Sequence, residues 1–360
     1  MEIEQKGMNN LQQTESGSTR KVWLNEVSFM RPILLVLLVS YHAFAPFVGT
    51  WPMPDSVHDV EAYRWLGLLS RAFRLEGFVF ISGYIFTFQI VERKKFDSFS
   101  SLLTSKIQRL LIPSFIFSIA YLLLFGKYTG VSSTVVKILS GVGHLWYLPC
   151  LFYCFLIQYL LLTFKLKQSY CIAILSVMLL ASAVHLPFNL HMPLYYMTFF
   201  YGGGMFWKHS EELTNRATWK NVAIAWVVFA VLFIVVNLGI MWMTEMKATV
   251  ASPLLRGGIN EFNTISKAIL GWSGVIALYL LAAKYCTHHT IGNFILKVGV
   301  CGYGVYVFHQ FILVYLYRYT ELPNVVGTYM LPWVGIVITI VLSVLLTLAV
   351  RSTKVGRKYL

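Results

Sequence analysis

Arg31 and His42 stand at the two ends of one apolar stretch, and their types and spacing suggest chemistry. They are eleven positions apart, so in a helix both side chains project from the same face, with a rise of about 16 Å between them. An ionisable group near the middle of a bilayer is costly unless it faces a partner or a wet cavity. His42 is therefore a candidate functional residue with the chemistry of a general base. The alternative is a histidine that packs between helices, with Arg31 as a topology anchor at the cytoplasmic rim.

A second group of polar side chains, Arg74, Glu76 and Ser82, falls at or within the next apolar stretch. Glu76 is the only carboxylate in any predicted span, and it either pairs with a basic group across the bundle or lines a polar site. Arg74 is too close to Glu76 in sequence to face it well, and either side chain is a candidate to orient His42. Ser82 and Gly83 are small, which predicts the close approach of another helix backbone.

Further polar side chains flank later apolar runs. Lys106 and Arg109 are three positions apart at the predicted cytoplasmic rim, where neighbours on one helix face bind a phosphate or contact lipid headgroups. His144 and Trp146 open a span at the predicted outer interface, and His309 lies deep in a later span. Interfacial tryptophan is a routine membrane anchor, so the histidines carry more information than the aromatic residue.

The other histidines and the cysteines predict no site. The six histidines that fall in loops are expected to be solvated: His58, His185, His191, His209, His288 and His289. The five cysteines form no CxxC pair and have no zinc-ligand spacing with histidine, so no metal site is predicted. The chain has no Walker lysine loop, HExxH motif or GxSxG elbow, which argues against an NTPase, a metalloprotease or a serine hydrolase.

The elements that must position these side chains are membrane spans. The chain is 57% hydrophobic and 12% charged, against about 25% charged in an ordinary soluble domain. This excludes a typical cytosolic enzyme, a disordered chain and a secreted disulfide scaffold. A bilayer core of about 30 Å needs roughly 20 apolar residues, which predicts about ten spans. They cover approximately residues 32–49, 75–91, 110–126, 144–164, 169–186, 194–207, 222–243, 266–283, 298–317 and 331–350.

The charges orient this predicted bundle. The net charge is +14, which in a soluble protein would suggest nucleic acid but here follows the positive-inside rule. With the N-terminus in the cytoplasm, 20 of the 29 Lys and Arg residues fall on the cytoplasmic side and nine on the outer side. The predicted fold class is an all-α integral membrane protein with both termini cytoplasmic and no nucleic-acid partner. Its layout is a flexible tail over residues 1–23, one transmembrane domain over 24–350 and a basic tail over 351–360.

Five motifs, in their order along the chain, resemble the acyltransferase 3 family. They are Arg31-x10-His42, Phe80-Ile81-Ser82-Gly83-Tyr84, the basic pair before Leu110-Leu111-Ile112-Pro113, His144-Leu145-Trp146-Tyr147-Leu148-Pro149 and Gly304-Val305-Tyr306-Val307-Phe308-His309-Gln310. The resemblance covers roughly residues 24–350. It implies a multi-pass protein of the bacterial inner membrane that moves an acyl group, usually acetyl from cytoplasmic acetyl-CoA, onto hydroxyls of sugars or glycans. The chain resembles stand-alone members without a fused soluble hydrolase-like domain.

The resemblance also implies residue roles. The arginine and histidine of the family's first helix fall on Arg31 and His42, so His42 would be the catalytic base or a transient acyl carrier, and Arg31 would position the donor. The family's Arg-x-x-Arg falls on Lys106-x-x-Arg109, where lysine loses the bidentate fork of arginine toward phosphate. These two residues and Arg31 would bind the CoA phosphates. The remaining polar groups would line the acceptor side or orient His42: Arg74, Glu76, Ser82, His144, Trp146 and His309.

The expected partners are acyl-CoA as donor substrate, a glycan or lipid-linked saccharide as acceptor, and membrane lipids, with no permanently bound cofactor. Two other classes of protein fit the same composition. One is a transporter or flippase for a lipid-linked glycan, which inverted repeats would favour, and none is visible in the sequence. The other is a non-catalytic membrane protein of an envelope complex.

Overall fold

The computed structural model describes residues 25–126, 130–287 and 293–359, and every regular element in those ranges is helical. In chain order the helices are α1 (Asn25–Ala43), α2 (Glu61–Arg71), α3 (Arg74–Val91), α4 (Phe99–Lys106), α5 (Ile112–Phe125), α6 (Val131–Ser140), α7 (Tyr147–Thr163), α8 (Gln168–Ala181), α9 (His191–Lys208), α10 (Ser210–Arg216), α11 (Trp219–Thr249), α12 (Pro253–Cys286), α13 (Asn293–Arg318), α14 (Leu322–Ser352) and α15 (Lys354–Tyr359). A π-helical turn, Ile107–Leu111, joins α4 to α5, and a 3-10 turn, Gly143–Trp146, precedes α7. The predicted tail over residues 1–23 lies outside the described residues.

Seven helical segments in the described ranges are long and apolar enough to cross a membrane. They are Asn25–Ala43, Glu61–Val91, Phe99–Phe125, Gly143–Thr163, Trp219–Thr249, Pro253–Cys286 and Leu322–Ser352. The prediction of an all-helical membrane protein is therefore confirmed. The three other predicted spans coincide with α8, α9 and α13. A total of about ten crossings and the cytoplasmic location of both termini stay predictions.

Helix α1 ends before the end of the first predicted span, which extends to residue 49. It ends at Ala43, and Pro46 explains why the helix does not continue, because proline lacks an N–H and disfavours helical geometry in the residue before it. The chain stays inside the protein beyond that point, since Phe44 and Phe47 are buried in a run of turns. His42 therefore lies in the last turn of α1 and is enclosed by the segment that follows.

Helix α1 is the central helix of the described structure. It packs against α2, α3, α12, α13 and α14. In its first half, Val27, Met30 and Leu34 follow a spacing of three and four residues and enter an apolar cluster shared with α3 and α12. In its second half, Leu38 and Val39 enter a second cluster with residues of α7, α9 and α13. Contacts on most sides fix the rotation of α1, and hence the direction in which His42 projects.

Helices α3 and α9 cross with their backbones nearly in contact. A Cβ atom placed on Gly83 would lie 1.8 Å from the carbonyl oxygen of Phe200. Gly203 makes the reciprocal approach, with a Cβ position 2.0 Å from the carbonyl oxygen of Phe80. Only glycine fits at either position. The predicted close helix packing at Gly83 is confirmed, and this crossing holds two walls of the cavity together.

Candidate active site

A cavity of about 980 Å³ is lined by residues of α1, α2, α3, α7, α9, α11, α12 and α13 and of the connecting turns. Ligand sites commonly measure about 300–1,000 Å³. The charged and imidazole side chains along its walls are His42, Arg64, Arg71, Arg74, Glu76, His144, His191, Glu245 and Lys267. Its aromatic side chains are Tyr41, Trp51, Trp146, Tyr147, Tyr195, Tyr196 and Tyr306. Arg71, Glu245 and Lys267 are exposed and mark the mouth of the cavity.

His42 and His309 form a buried hydrogen-bonded pair beside this cavity. Nδ1 of His42 lies 3.0 Å from the carbonyl oxygen of Leu38 and 3.2 Å from Nε2 of His309. Nδ1 of His309 lies 2.7 Å from the carbonyl oxygen of Tyr306 and 3.1 Å from that of Val305, so this nitrogen carries the proton and donates. In the neutral ring, Nε2 of His309 is then an acceptor. Nδ1 of His42 therefore also carries a proton, and its N–H donates to both the carbonyl oxygen of Leu38 and Nε2 of His309.

This arrangement fixes the tautomer of His42 and leaves Nε2 with its lone pair. Nε2 has no hydrogen-bond partner among the described residues, and His42 lines the cavity. A neutral imidazole in this tautomer can take a proton from a hydroxyl that enters the cavity. The side chain that hydrogen-bonds to the His42 ring is that of His309, and not that of Arg74 or Glu76.

His144 lies on the other side of His309, and the centroids of these two rings are 4.7 Å apart. Its Nε2 donates to the carbonyl oxygen of Val307 at 3.0 Å, and its backbone N–H donates to Oε1 of Gln310 at 2.8 Å. The hydroxyl of Tyr306 donates to the carbonyl oxygen of His144 at 2.7 Å. Three hydrogen bonds to α13 thus hold His144, whose buried Nδ1 has no partner within the described ranges. The structure brings all three sequence-predicted histidines together.

Arg74 and Glu76 lie in the first turn of α3 and line the cavity without forming an ion pair with each other. The Arg74 guanidinium stacks 3.8 Å from the centre of the Tyr41 ring and donates to the carbonyl oxygen of Arg71 at 3.3 Å. Glu76 accepts a hydrogen bond from the hydroxyl of Tyr195 at 3.3 Å. In the part of the chain that the structure describes, Nε of Arg74 and Oε2 of Glu76 are buried without partners. Glu76 therefore lies on the cavity wall, and no ion pair joins it to a basic side chain among the described residues.

Of Trp146 and Ser82, only Trp146 lines the cavity. Trp146 lines the cavity, where its ring lies against that of Tyr196 with centroids 6.0 Å apart. Ser82 donates its hydroxyl to the carbonyl oxygen of Phe78, one turn earlier in α3, at 2.8 Å, and it does not line the cavity. Ser82 is therefore not part of the cavity wall itself.

The predicted donor-binding residues lie away from the cavity and are not joined by contacts. Arg31 is half-buried on α1 and makes no hydrogen bond or ion pair within the described residues. The Lys106 ammonium lies 3.4 Å from the centre of the Phe155 ring. Arg109 is exposed, and its carbonyl oxygen accepts a hydrogen bond from the hydroxyl of Tyr303 at 3.1 Å.

The π-helical turn Ile107–Leu111 changes the expected relation between Lys106 and Arg109. Residues three apart are neighbours on a regular α-helix, but the wider turn removes that register. Lys106 points into three phenylalanine rings, whereas Arg109 is exposed. Their charges remain close enough to interact with each other and with that of Lys95, so this end of the bundle carries a cluster of positive charge. Such turns are frequent at functional sites.

The prediction that His191 is solvated is wrong. It is buried at the start of α9 and lines the cavity, and its ring centroid lies 4.2 Å from that of His185. One feature of the sequence could have indicated this burial. His191 directly precedes the apolar run that begins at Met192, so it is the first residue of a helix rather than the last residue of a loop. His288 and His289 lie outside the described residues.

Several other cavity residues are not distinguished by any pattern in the sequence. Tyr41 and Tyr195 are two of 21 tyrosines, and an aromatic residue in a membrane span is ordinary. Arg71 falls in a predicted outer segment and Lys267 at the predicted outer end of a span, where a basic residue is expected to face water. Their common position on one cavity depends on how α2, α9 and α12 pack, which no local pattern specifies.

The geometry provides a proton acceptor, Nε2 of His42, and a buried cation, Arg74, in a cavity with aromatic walls. A base of this kind takes the proton of a hydroxyl as its oxygen attacks a carbonyl carbon, and a fixed cation stabilises the charge that develops on the carbonyl oxygen. No group of three or more His, Cys, Asp or Glu side chains in the described ranges is placed to hold a metal ion.

Comparison with known proteins gives one match. The family model for the acyltransferase domain of the acyltransferase 3 family matches residues 24–351. Comparisons with curated proteins and with solved structures give no significant match. The matched region includes His42, His309 and every residue that lines the cavity. Because the match spans nearly the whole chain, this membrane protein belongs to the acyltransferase 3 family.

Proposed function

We propose that this chain is an O-acyltransferase of the bacterial inner membrane. It moves an acetyl group from cytoplasmic acetyl-CoA to a hydroxyl of a cell-surface glycan or of its lipid-linked precursor. The observation that carries the proposal is the fixed tautomer of His42, whose Nδ1 donates to Leu38 and His309 while Nε2 is left for the cavity. A histidine that served only to pack helices would have no need of a second histidine to orient it beside a large cavity.

In the proposed reaction, His42 Nε2 takes the proton of the acceptor hydroxyl while the hydroxyl oxygen attacks the carbonyl carbon of the thioester. The carbon–sulfur bond then breaks, and the CoA thiolate takes the proton from His42, so the products are an acetyl ester and CoA. General-base catalysis typically contributes about 10²–10⁴-fold. In the covalent version, Nε2 itself attacks the thioester carbon, the carbon–sulfur bond breaks and the CoA thiolate leaves. The acceptor hydroxyl then attacks the acetyl carbon, its proton passes to the thiolate, and the bond from the acetyl carbon to Nε2 breaks.

His309 is a positioning residue in this scheme. After His42 takes a proton, its ring is positively charged in a buried place. The Nδ1–H then faces two acceptors, the carbonyl oxygen of Leu38 and Nε2 of His309. A buried carboxylate has the same task in a Ser-His-Asp triad, where it holds the tautomer and stabilises the imidazolium.

Arg74 is placed to stabilise the transition state. Its guanidinium stacks on Tyr41, whose ring centroid lies 5.0 Å from that of His42. A cation this close to the base stabilises the negative charge that forms on the thioester oxygen when the hydroxyl attacks.

We place the donor beside the parts of α1 and α13 that precede His42 and His309 in the chain. Arg31 precedes His42 by eleven positions, which is about 16 Å along a helix. Tyr303, which donates to the Arg109 carbonyl oxygen, precedes His309 by six positions, or about 9 Å. An extended pantetheine arm has the length needed to join phosphates near Arg31 and Arg109 to a thioester at His42. The aromatic cavity on the other side of His42 is left for the saccharide.

The test compares His42→Ala with His209→Ala, which removes an exposed histidine that only hydrogen-bonds to the Met205 carbonyl oxygen. Membranes that contain equal amounts of each protein are given radiolabelled acetyl-CoA and cell-envelope glycans, and label in the glycan is measured. We expect His209→Ala to match the unmodified protein and His42→Ala to lose transfer. Undiminished labelling by His42→Ala would remove His42 from the mechanism. Glycan movement across the membrane without label would favour the flippase.

A further inference from the structure

The mouth and one wall of the cavity carry more positive than negative charge. Four Arg and Lys side chains line the cavity, whereas only two carboxylate side chains line it. They are Arg64, Arg71, Arg74 and Lys267 against Glu76 and Glu245. Only Arg64 among the four cations has an ion pair within the described residues, to Glu61 outside the cavity lining at 3.9 Å.

The three unpaired cations belong to one cluster. Arg71 and Arg74 are separated by the short break between α2 and α3, and the Arg74 guanidinium donates to the Arg71 carbonyl oxygen. Lys267 lies on α12, and its charge is close enough to interact with that of Arg71 and that of Glu76. Glu76 is the carboxylate of this cluster, and its hydrogen bond comes from Tyr195 rather than from any of the cations. Three cations around one carboxylate leave an excess of positive charge.

Arg74 shows that this excess is built into the protein interior. Its side chain is only 5% exposed. It lines the cavity, yet in the described ranges Nε makes no hydrogen bond. A buried charge is costly unless it is paired, and its interactions in a site partly shielded from water are stronger than at a surface. An anion in the cavity would pair with the charge of the guanidinium and relieve the repulsion among the three cations. A neutral saccharide would not.

We propose that the acceptor of this acyltransferase is a saccharide that carries an acidic group, a carboxylate or a phosphate, bound by Arg71, Arg74 and Lys267. The inference rests on the proposed acyl transfer and specifies its acceptor. The acidic group binds near the mouth, where Arg71 and Lys267 are exposed, and a hydroxyl of the same molecule reaches His42 Nε2. The stacking of Arg74 on Tyr41, the neighbour of His42, places the anion site next to the base.

The test uses the full chain in lipid nanodiscs with acetyl-CoA and three acceptors. Methyl β-glucoside is neutral, methyl β-glucuronide differs from it by a carboxylate, and farnesyl-phosphate-linked glucose provides the phosphate of a lipid carrier. We expect kcat/KM for at least one acidic acceptor to exceed that for the neutral glucoside by about tenfold or more. The acceptor that shows the advantage identifies the source of the anion. Equal kcat/KM values for all three acceptors would overturn the proposal.

The variants Arg71→Gln and Lys267→Gln keep a polar side chain and remove one charge each. They are expected to raise the KM for the acidic acceptor about tenfold and to leave the KM for acetyl-CoA unchanged. Arg256→Gln is the matched control, because Arg256 is exposed, donates to the Val250 carbonyl oxygen and does not line the cavity. An acidic-acceptor KM that is unchanged in Arg71→Gln and Lys267→Gln, or that rises equally in Arg256→Gln, would contradict the anion site.

A binding measurement separates this inference from the proposed function. The thermal unfolding of the same nanodisc samples is followed with each of the three acceptors and without acetyl-CoA. An acidic acceptor that raises the Tm of the unmodified protein but not of Arg71→Gln supports the anion site even if no acetyl group is transferred, and in that case acyl transfer alone fails. If no acidic acceptor changes the Tm and none is acetylated in preference to the glucoside, the anion site is refuted.

Discussion

The replacement of His309 by leucine tests how much the second histidine contributes to the first. His309 is fully buried, does not line the cavity and hydrogen-bonds to His42 through Nε2. Leucine is apolar and of similar size, so the packing should survive. The change removes one of two acceptors on Nδ1 of His42 and leaves the other, the carbonyl oxygen of Leu38. A hydrogen bond to a charged group contributes about 1.5–3 kcal/mol, and about 1.4 kcal/mol corresponds to a factor of ten in rate.

The expected result for His309→Leu is therefore a fall in kcat of about 10- to 100-fold with little change in the KM for acetyl-CoA. His309→Gln retains an acceptor oxygen at a similar distance from the backbone, so it should recover much of the lost rate. The assay is the initial rate of acetyl transfer by purified protein, with the Tm of each variant as the control for folding. A folded His309→Leu protein with a kcat near that of the unmodified chain would refute the positioning role. So would equal losses in the leucine and glutamine variants.

Two further predictions concern the donor end and the helix crossing. Arg109→Ala should raise the KM for acetyl-CoA more than the KM for the acceptor, because Arg109 is the exposed member of the predicted phosphate-binding pair. Steady-state kinetics measures both constants, and an unchanged KM for acetyl-CoA would indicate that Arg109 contacts lipid headgroups instead. Gly83→Ala should lower the Tm in detergent or nanodiscs, since its Cβ would overlap the Phe200 carbonyl oxygen and overpacking costs about 1–3 kcal/mol. Gly239→Ala is the control for that measurement, because its Cβ would meet no atom closer than 3.9 Å, and equal stability of the two variants would contradict the tight crossing.

Much of the fold could be predicted from the sequence, because membrane spans depend on local composition. The first helix, the apolar character of the bundle and the close approach at Gly83 all depend on short stretches of sequence. The end of α1 could not be predicted from hydropathy, since Phe44 and Phe47 continue the apolar run while Pro46 ends the helix. The π-helical turn that contains Arg109 could not be predicted either, because no residue type specifies it.

The candidate site was predictable residue by residue but not as an arrangement. A histidine deep in a membrane span is a candidate functional residue wherever it occurs, so His42 and His309 could each be identified as a candidate from the sequence. Their hydrogen bond depends on the side-by-side packing of α1 and α13, which is a property of the whole bundle. Lys267 illustrates the opposite case, since a basic residue at the outer end of a predicted span is expected to face water, and only the packing of α12 places it on the cavity wall.

The distance in sequence between His42 and His309, 267 positions, has a consequence for biogenesis. A chain that enters the membrane from its N-terminus places His42 in the bilayer long before α13 has been synthesised. Until then the His42 ring has the Leu38 carbonyl oxygen of its own helix but not the second acceptor, and the neighbouring surfaces of α12, α13 and α14 are missing. The hydrogen-bonded pair of His42 and His309 is therefore completed only late in insertion. If the chain has the proposed activity, acetyl transfer would report that α1 and α13 have both been inserted and packed together.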